Sequence, residues 1–335
     1  MRTISVFMNV LRTSRHHFIS STSTSTSTST SIKVETDIAE SASAPSIKAA
    51  SLAVISTIFN DPTSNKVLVI TGAGLSTNSG IPDYRSPNGA YSKGHKPIVH
   101  DEFMKNEFKR KRYWGRSLFG FKVFAASQPN DGHKALTNLE KKGRIGGFAD
   151  MSIITQNVDR LHTKSGTKHV VDLHGRGDRC VCMSCGKESS RLDFHLKMES
   201  QNSHFISQIK GGEVRKLQPD GDAELDSYSV DFNDVVVPPC SDCGGIIKTA
   251  VTFFGDNVPR PIVDSCYDAV DKATALLVCG SSLQVFSAFR FVKRAKALNI
   301  PIIILNKGPT RGDDLATLKS EHDLSLLLTQ IDAQL

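Results

Sequence analysis

The stretch Lys66 to Ser86, KVLVITGAGLSTNSGIPDYRS, constrains the fold of this chain more than any other. Its first part, Val67-Leu68-Val69-Ile70, is apolar at consecutive positions and rich in β-branched residues. A strand with one wet face alternates, whereas one buried on both faces does not. The run therefore reads as a buried strand of a parallel sheet. At Thr71 it breaks into Gly72-Ala73-Gly74, followed by Ser76, Thr77 and Ser79. Glycines just past such a strand let backbone approach a pyrophosphate, and the N–H groups opening the next helix suit an anion. The same glycines suit a tight turn that needs positive φ, and the loop alone does not decide. A G-x-G-x-x-G fingerprint would put its third glycine at Thr77, whereas the next glycine is Gly80. This weakens a hydride-transferring dinucleotide enzyme. Ile81-Pro82-Asp83-Tyr84-Arg85 then sets a rigid proline, an acid, an aromatic ring and a guanidinium beside the loop, as the reactive end of a cofactor would require.

The same grammar recurs along the chain. Ser152-Ile153-Ile154-Thr155 delivers Gln156-Asn157-Val158-Asp159, and Val170-Val171-Asp172-Leu173 ends in His174-Gly175. Leu276-Leu277-Val278-Cys279 ends in Gly280-Ser281-Ser282, and Pro301-Ile302-Ile303-Ile304-Leu305 ends at Asn306. Strand, crossover, strand predicts an α/β fold with a doubly wound, Rossmann-like parallel sheet. Polar residues at the carboxyl ends of such strands line its ligand crevice. Ser46 to Phe59 reads as an amphipathic helix that stops at Asn60-Asp61-Pro62. The Gly/Pro/Ser/Lys-rich stretch from Arg85 to about Pro97 is long enough for a lid. Lys109-Arg110-Lys111-Arg112 lies on a helical stretch and reads as a solvated face, with a localisation signal as the alternative. Residues 176–247 are polar, cysteine-bearing and poor in apolar runs, so a smaller domain is expected there. The large part then spans about 46–175 and 248–335.

Cys182-x-x-Cys185 and Cys240-x-x-Cys243 have metal spacing. Four thiolates would hold one Zn²⁺ tetrahedrally and leave no position open for water, so such a metal is structural. Two redox dithiols are the alternative. The stretch between the pairs is far longer than the ~15–20 residues of an ordinary zinc ribbon. Its Ser/Asp/Lys-rich portion, about 190–235, reads as a surface insertion. Cys180 stands one residue from Cys182, poor geometry for a fifth candidate. Cys266 and Cys279 sit in apolar segments and read as small buried hydrophobes. Seven cysteines in 335 residues are too few for a secreted disulfide scaffold.

With 39% hydrophobic and 22% charged residues, the composition is that of an ordinary globular protein. No apolar run approaches the ~18–20 residues of a membrane span, so no membrane partner is expected. The net charge of +7 admits acidic partners. No aromatic residues interleave the basic ones, so nucleic acid is not expected.

His174 closes an apolar strand and precedes a glycine that would leave its ring accessible. A ring that titrates near neutrality suits a general base; a satisfied core histidine is the competing reading.

GAG-x-S-x-x-x-GIPDYRS resembles the signature of the sirtuins, NAD-dependent protein-lysine deacylases. The resemblance extends in order over roughly residues 50 to 335. Leu173-His174-Gly175 resembles their catalytic histidine segment, just before the zinc module. Thr155-Gln156-Asn157-Val158-Asp159 resembles TQN-x-D, which holds the nicotinamide and its ribose. Gly280-Ser281-Ser282-Leu283 resembles the GSSL phosphate and ribose contact, and Asn306 stands where the adenosine ribose is held. Val251-Thr252-Phe253-Phe254-Gly255 resembles the segment that pairs with a substrate peptide by β-addition. The resemblance implies catalytic roles for His174, Asn157 and Asp159. It implies NAD contacts from Gly72, Ala73, Gly74, Ser76 and Thr77, and from Ile81, Pro82, Asp83, Tyr84, Arg85 and Tyr91. Further contacts are implied at Gln156, Val158, Gly280, Ser281, Ser282, Lys307 and Gly308, and at Leu324, where no motif marks the position. It implies one structural Zn²⁺ on Cys182, Cys185, Cys240 and Cys243.

Two departures stand out. Lys248-Thr249-Ala250 lacks the proline and acid usual before the substrate segment, which bears on peptide affinity. The family's acidic-acyl branch carries a Tyr-x-x-Arg pair that aligns here to Ser117 and Gly120. Tyr113 and Arg116 lie about one turn earlier, so succinyl specificity is not expected.

PDYRS, the long insert, GDNVP and LNKGPTR look most like the mitochondrial class II, sirtuin-four type. In residues 1–45, Arg2, Arg12 and Arg15 lie among apolar residues, a Ser/Thr repeat follows, and no acid precedes Glu35. That is transit-peptide composition, and a merely disordered tail is the alternative. The expectation is a mitochondrial matrix deacylase acting on acyl-lysine proteins, giving nicotinamide and O-acyl-ADP-ribose. Protein ADP-ribosylation from the same NAD site is the alternative.

Overall fold

Side chains along a strand alternate between two faces, so a run apolar at every position needs a layer on each side. The computed structural model describes residues 46–59, 66–148, 150–209, 217–225 and 230–335. The arm 1–45 and the helix stop at Asn60-Asp61-Pro62 lie outside them.

Among the described residues, the strands are β1 (Val67–Thr71), β2 (Ile153–Thr155), β3 (Val170–Asp172), β4 (Gly175–Cys182), β5 (Glu188–Ser190), β6 (Ile247–Val251), β7 (Ala275–Cys279), β8 (Ile302–Leu305) and β9 (Leu318–Ser320). The α-helices are α1 (Ile47–Phe59), α2 (His100–Lys105), α3 (Glu107–Ala126), α4 (Asp131–Lys141), α5 (Leu161–Lys164), α6 (Arg191–Gln201), α7 (Ser203–Ser207), α8 (Arg260–Lys272), α9 (Phe286–Ala297) and α10 (Leu324–Gln334).

The larger sheet has the order β3-β2-β1-β7-β8-β9, and every pairing is parallel. This is the doubly wound order, with β1 and β7 adjacent where the winding reverses. Thr71 stands opposite both Thr155 and Cys279, so three loops leave the carboxyl edge at one level. Val67, Val69, Ile153, Leu277 and Leu305 face a layer built from α1, α4 and α10. Leu68, Ile70, Ile154, Val278 and Ile304 face α8 and α9. Each such side chain, fully buried, stabilises the sheet by roughly 1.5–3 kcal/mol. The fold expected from the strand pattern is the fold observed.

The second sheet, β5-β4-β6, is antiparallel. Its core joins Cys180 and Ile247 to Phe103 of α2, Tyr113, Trp114 and Leu118 of α3, Phe194 and Met198 of α6 and Phe205 of α7. The small domain is therefore not confined to 176–247, because α2 and α3 bury their aromatic faces in it.

The expected surface insertion is corrected in the same way. Arg191, His195, Phe205, Ile209, Ala223 and Leu225 are all buried. The insert also reaches α3 at Gly120, where a Cβ would lie 2.1 Å from the Gly221 carbonyl oxygen.

Lys109 to Arg112 are half-buried rather than a free solvated face. The last carbonyls of a helix have no partner within it. Arg110 supplies one to α2, donating to the carbonyls of Phe103 (3.0 Å) and Met104 (2.9 Å). Lys111 reaches the carbonyl of Asn233 at 2.9 Å. Cys266 and Cys279 are buried in the apolar layers, as expected.

Candidate active site and metal centre

The loops after β1 and β7 interlock. The Gly72 N–H donates to the Cys279 carbonyl (3.0 Å) and the Gly74 N–H to the Gly280 carbonyl (2.9 Å). A Cβ on Gly72 would stand 2.7 Å from the Ser281 Cβ, and one on Gly74 would stand 2.9 Å from the Gly280 oxygen. These glycines thus serve contact between two loops, a requirement the sequence did not separate from pyrophosphate approach. The expected helix start is instead a 3-10 segment, Ala73–Ser79, closed by Gly80 at φ +84°. Thr77 is exposed on this segment, its hydroxyl donating to the Gly74 carbonyl at 3.0 Å. Asn130 caps α4 with its side-chain oxygen and donates from Nδ2 to the Leu75 carbonyl at 2.7 Å. One residue therefore starts a helix and pins the loop, a double role that no local signal announced.

The TQN-x-D segment crosses behind these loops. Gln156 Nε2 donates to the Ser281 hydroxyl (2.8 Å) and the Thr71 carbonyl (3.2 Å). Asn157 Nδ2 donates to the Gly72 carbonyl and to Ser76 Oγ, both at 3.1 Å. Ser76 Oγ donates to Asp159 Oδ2 at 2.6 Å, and the Leu161 N–H donates to Oδ1 at 2.9 Å. Burial raises the Asp159 carboxyl above its ordinary value, against the lowering pull of those two donors. Val158 packs with Ile81, Phe124 and Leu161 as an apolar floor. Beneath lie two histidines that sequence reading did not single out. His162 Nε2 meets Thr71 Oγ1 at 2.9 Å, and its ring stands edge-on to that of His133 at 5.0 Å. Burial holds both rings neutral, pushing His133 down to about 4 and His162 well below its ordinary value.

His174 leaves β3 at the same edge. Its Nδ1 lies 3.1 Å from the Gln156 carbonyl oxygen and its Nε2 2.7 Å from the Ser287 hydroxyl. A carbonyl only accepts, so Nδ1 carries the hydrogen and the neutral ring keeps its lone pair on Nε2. Burial lowers the affinity of this ring for a proton, partly offset by the Gln156 carbonyl. The ring is therefore neutral at neutral pH, the form in which an imidazole can accept a proton. Ser287, on the first turn of α9, was not foreseen; nothing in its sequence neighbourhood marks it.

Asp83 Oδ1 accepts from the backbone N–H groups of Arg85 (3.0 Å) and Ser86 (2.9 Å), so the acid shapes its own turn. The Tyr84 and Tyr91 rings meet at 5.3 Å, tilted by 50°, with the Arg85 guanidinium 5.1 Å from the Tyr91 ring, while Pro82 stays half-buried between Ile81 and Asp83. At the end of β8, Asn306 donates to the carbonyls of Lys307 (3.1 Å) and Gly308 (3.2 Å). Ser282 accepts through its carbonyl from the Arg311 N–H. Leu324 opens α10 beside the core, and its neighbour Ser325 accepts from Asn78 Nδ2 at 3.1 Å, tying α10 to the first loop.

A cavity opens between α3 and the small sheet, lined among others by Tyr84, Ile98, Tyr113, Phe121, Val251 and Phe253. Asp220 and Gly221 of the insert also line it. Tyr113 bonds Thr249 at 2.8 Å rather than turning to solvent, and Arg116 lies 3.9 Å from Asp222. β6 pairs with β4 alone among the described residues, which leaves its other edge open for an added strand. The Thr252 N–H donates to the His174 carbonyl at 2.8 Å, which carries the β4–β6 pairing on to the histidine itself. Lys248, where the usual proline and acid are missing, is buried with its Nζ 4.2 Å from the Phe253 ring and bonded to the Val251 carbonyl.

The four cysteines Cys182, Cys185, Cys240 and Cys243 bring their sulfurs within 4.8 Å of one another. The close contacts run between the motifs, Cys182 to Cys243 at 3.5 Å and Cys185 to Cys240 at 3.8 Å. Four Zn–S bonds of ≈ 2.3 Å give a tetrahedron with edges of about 3.8 Å. A redox dithiol would pair within its own motif. Two equivalent turns support the ligands: the Gly186 N–H donates to the Cys182 carbonyl and the Gly244 N–H to the Cys240 carbonyl, both at 2.9 Å. Both glycines have the positive φ those turns need, +74° and +73°. The set fits a closed, structural zinc ion. Cys180 is buried outside it.

The Sir2 family matches residues 72–287. NAD-dependent protein deacetylase 2 of Bradyrhizobium diazoefficiens is 46% identical over 257 residues, 77% of this chain and 89% of that one. NAD-dependent protein deacylase Sirt4 of Drosophila melanogaster is 45% identical over 256 residues, 76% of this chain and 78% of that one. The mitochondrial NAD-dependent protein lipoamidase sirtuin-4 of Bos taurus is 43% identical over 271 residues, 80% of this chain and 82% of that one. Among solved structures, Sir2 with a p53 peptide and NAD⁺ is similar with a TM-score of 0.62 at 29% identity, over 82% of this chain and 94% of that one. Sir2Tm bound to a propionylated peptide gives 0.63 at 28%, over 84% and 98%. Family match, identity and shared fold agree over most of the molecule, and the chain belongs to the Sir2 family, whose enzymes use NAD as a co-substrate.

Proposed function

We propose that this sirtuin removes acyl groups from protein lysines, with His174 as the general base and the carboxyl edge of the large sheet as the NAD site. The observation that carries the reading is the His174 ring. It is neutral, held at Nδ1 by a backbone carbonyl, with the Nε2 lone pair at the sheet edge where ligands of this fold bind. When bound, NAD supplies the electrophilic ribose carbon from which nicotinamide departs. The chain's residues position and deprotonate. Asn157 and Asp159 hold the ribose and the nicotinamide, with Gln156, Ser281 and Ser282 beside them. Ile81 and Asp83 face the carboxamide, Arg85 supports that end, and Tyr84 and Tyr91 cover it. Gly72, Ala73, Gly74, Ser76 and Thr77 form the phosphate loop, while Asn306, Lys307, Gly308 and Leu324 form the adenosine end. Nε2 of His174 takes the ribose hydroxyl proton, a step worth ~10²–10⁴ in rate.

The acyl-lysine enters along the open edge of β6, and the zinc ion holds the small domain that carries this edge. Transfer of ADP-ribose to a protein shares the first step. The relatives' names, deacetylase, deacylase and lipoamidase, favour acyl removal. The composition of residues 1–45 and the bovine relative's mitochondrial name support residence in the mitochondrial matrix, with acylated enzymes there as substrates. Subcellular fractionation tests the location.

The deciding experiment is nicotinamide release across a panel of acetyl-, lipoyl-, biotinyl- and branched acyl-peptides, with products weighed by mass spectrometry. O-acyl-ADP-ribose is expected. ADP-ribosylated protein as the only product, or no release with any peptide, overturns the reading.

A further inference from the structure

We propose that Ser287 is a positioning residue for His174: its hydroxyl holds Nε2 while the Gln156 carbonyl holds Nδ1, and together they fix which nitrogen takes the substrate proton. The two contacts are 2.7 Å and 3.1 Å. They differ in kind. The carbonyl accepts only, whereas the serine hydroxyl rotates and both donates and accepts. Before substrate is seated Ser287 donates to the single Nε2 lone pair, and the ribose hydroxyl then takes its place as donor while the serine hydroxyl rotates away. As the ribose O–H bond breaks, its electron pair stays on the attacking oxygen and the proton passes to Nε2. Ser287 then turns to accept from the new N–H, so both nitrogens of the imidazolium are satisfied.

The rest of the surroundings make this contact matter. Among the described residues, burial and the Gln156 carbonyl are the influences on the proton affinity of His174. The charges nearest in the chain are taken, Asp172 by Arg160 and Arg176 by Asp178. Asp159, in the loop that carries Gln156, is held by Ser76 and Leu161. On the α9 side, Arg290 lies over the Phe286 ring at 5.1 Å. Ser287 itself lies on the first turn of α9, whose positive pole disfavours a nearby cation. A hydroxyl acceptor at that point offsets the unfavourable pole. Its place is fixed by its neighbours, since Ala288 and Phe289 are buried in the core while Phe286 stays exposed.

This inference rests on the deacylase reading, and the test separates the two. Ser287→Ala and Ser287→Thr are compared with the parent by pH profiles of kcat/KM for acyl-peptide and by NAD binding. A charge-assisted hydrogen bond favours the protonated ring. The alanine variant should therefore lose about ten-fold or more in kcat at unchanged NAD affinity, and its acid limb should move to lower pH. Threonine, which keeps the hydroxyl, should restore most of both. An alanine profile superimposable on the parent's, or a uniform loss with the limb unmoved, overturns the proposal. Independently, ¹⁵N resonances of His174 in the parent chain should report hydrogen on Nδ1; the other tautomer also overturns it. Absence of nicotinamide release by the parent would instead sink the deacylase reading, and this inference with it.

Discussion

Ser76 and Asp159 meet at 2.6 Å, a hydroxyl from the loop after β1 donating to a carboxylate from the loop after β2. Asp159 is only 6% exposed, and its other donor is the Leu161 N–H. A hydrogen bond to a buried charged group contributes roughly 1.5–3 kcal/mol. Ser76→Ala should lower the unfolding free energy by about that much near neutral pH. The loss should shrink at acid pH, where Asp159 is protonated in both proteins and no charge is left unpaired. NAD affinity should fall as well, because Asn157 also bonds Ser76. Urea unfolding at two pH values and an NAD titration check this; equal deficits at both pH values would show that the carboxylate is satisfied without Ser76.

A second prediction separates crowding from backbone strain. Gly280 has φ +63°, and a Cβ there would stand 2.4 Å from the Leu75 nitrogen. Gly308 has φ +82° with nothing within 4 Å of such a Cβ. Left-handed alanine costs roughly 1–3 kcal/mol in either place. Only Gly280→Ala adds the overpacking term, about another 1–3 kcal/mol. Gly280→Ala should therefore show the larger fall in thermal midpoint and lose NAD binding, since it forces apart the loops of β1 and β7. Equal midpoints would mean that the loops yield freely.

Residues whose role is local were legible in the sequence. Val67 to Ile70 announced a sheet buried on both faces, and the polar ends of β1, β2, β7 and β8 meet at its carboxyl edge, the proposed NAD site. Cys182, Cys185, Cys240 and Cys243 announced a metal through spacing alone. Residues whose role depends on a distant partner were not legible. Ser287 matters only because α9 starts beside His174, and Arg110 looks like one more surface cation until α2 ends against it. Arg191 reads as polar insert, yet its guanidinium is stacked 4.7 Å from the Trp114 ring and 4.3 Å from Phe121. Burial of a charge between aromatic rings leaves no periodic trace in sequence. The glycines of the first loop suit close approach to a ligand, and the neighbouring loop requires Gly72 and Gly74 as well, which no local pattern shows.

The metal centre yields a third prediction. The cysteine turns have few backbone bonds of their own: β5 is three residues long, and each knuckle is closed by two, Cys182 with Gly186 and Lys187 and Cys240 with Gly244 and Gly245. In such sites metal binding is folding free energy. Chelation, or Cys240→Ser, should melt the small domain while the large sheet keeps its secondary structure. The near-ultraviolet signal of Trp114, packed in that domain's core, should collapse first. One zinc per chain by atomic absorption, lost together with that signal and with peptide turnover, is the expected result. Turnover that survives complete metal removal would make the cluster dispensable.

The buried histidine pair sets the acid limb of stability, and its sign follows from linkage. An unfolded histidine titrates near 6.5. In the folded chain, burial pushes His133 down to about 4 and His162 well below its ordinary value. Above 6.5 both states are neutral at these positions and the pair contributes nothing to the pH dependence. Below it the unfolded chain takes up protons that the fold refuses, so stability falls as pH falls toward 4. For His133 alone the full loss is on the order of 3 kcal/mol. His133→Gln removes that term and keeps the N-terminal cap of α4, where His133 accepts from the Asn130 N–H as a glutamine would. The parent-minus-variant difference in unfolding free energy should be flat above 6.5 and slope between 6.5 and about 4. Taking the difference cancels carboxylates that titrate in both proteins, such as Glu140. A flat difference over the whole range would mean that the His133 ring takes up a proton in the fold as readily as in the unfolded chain.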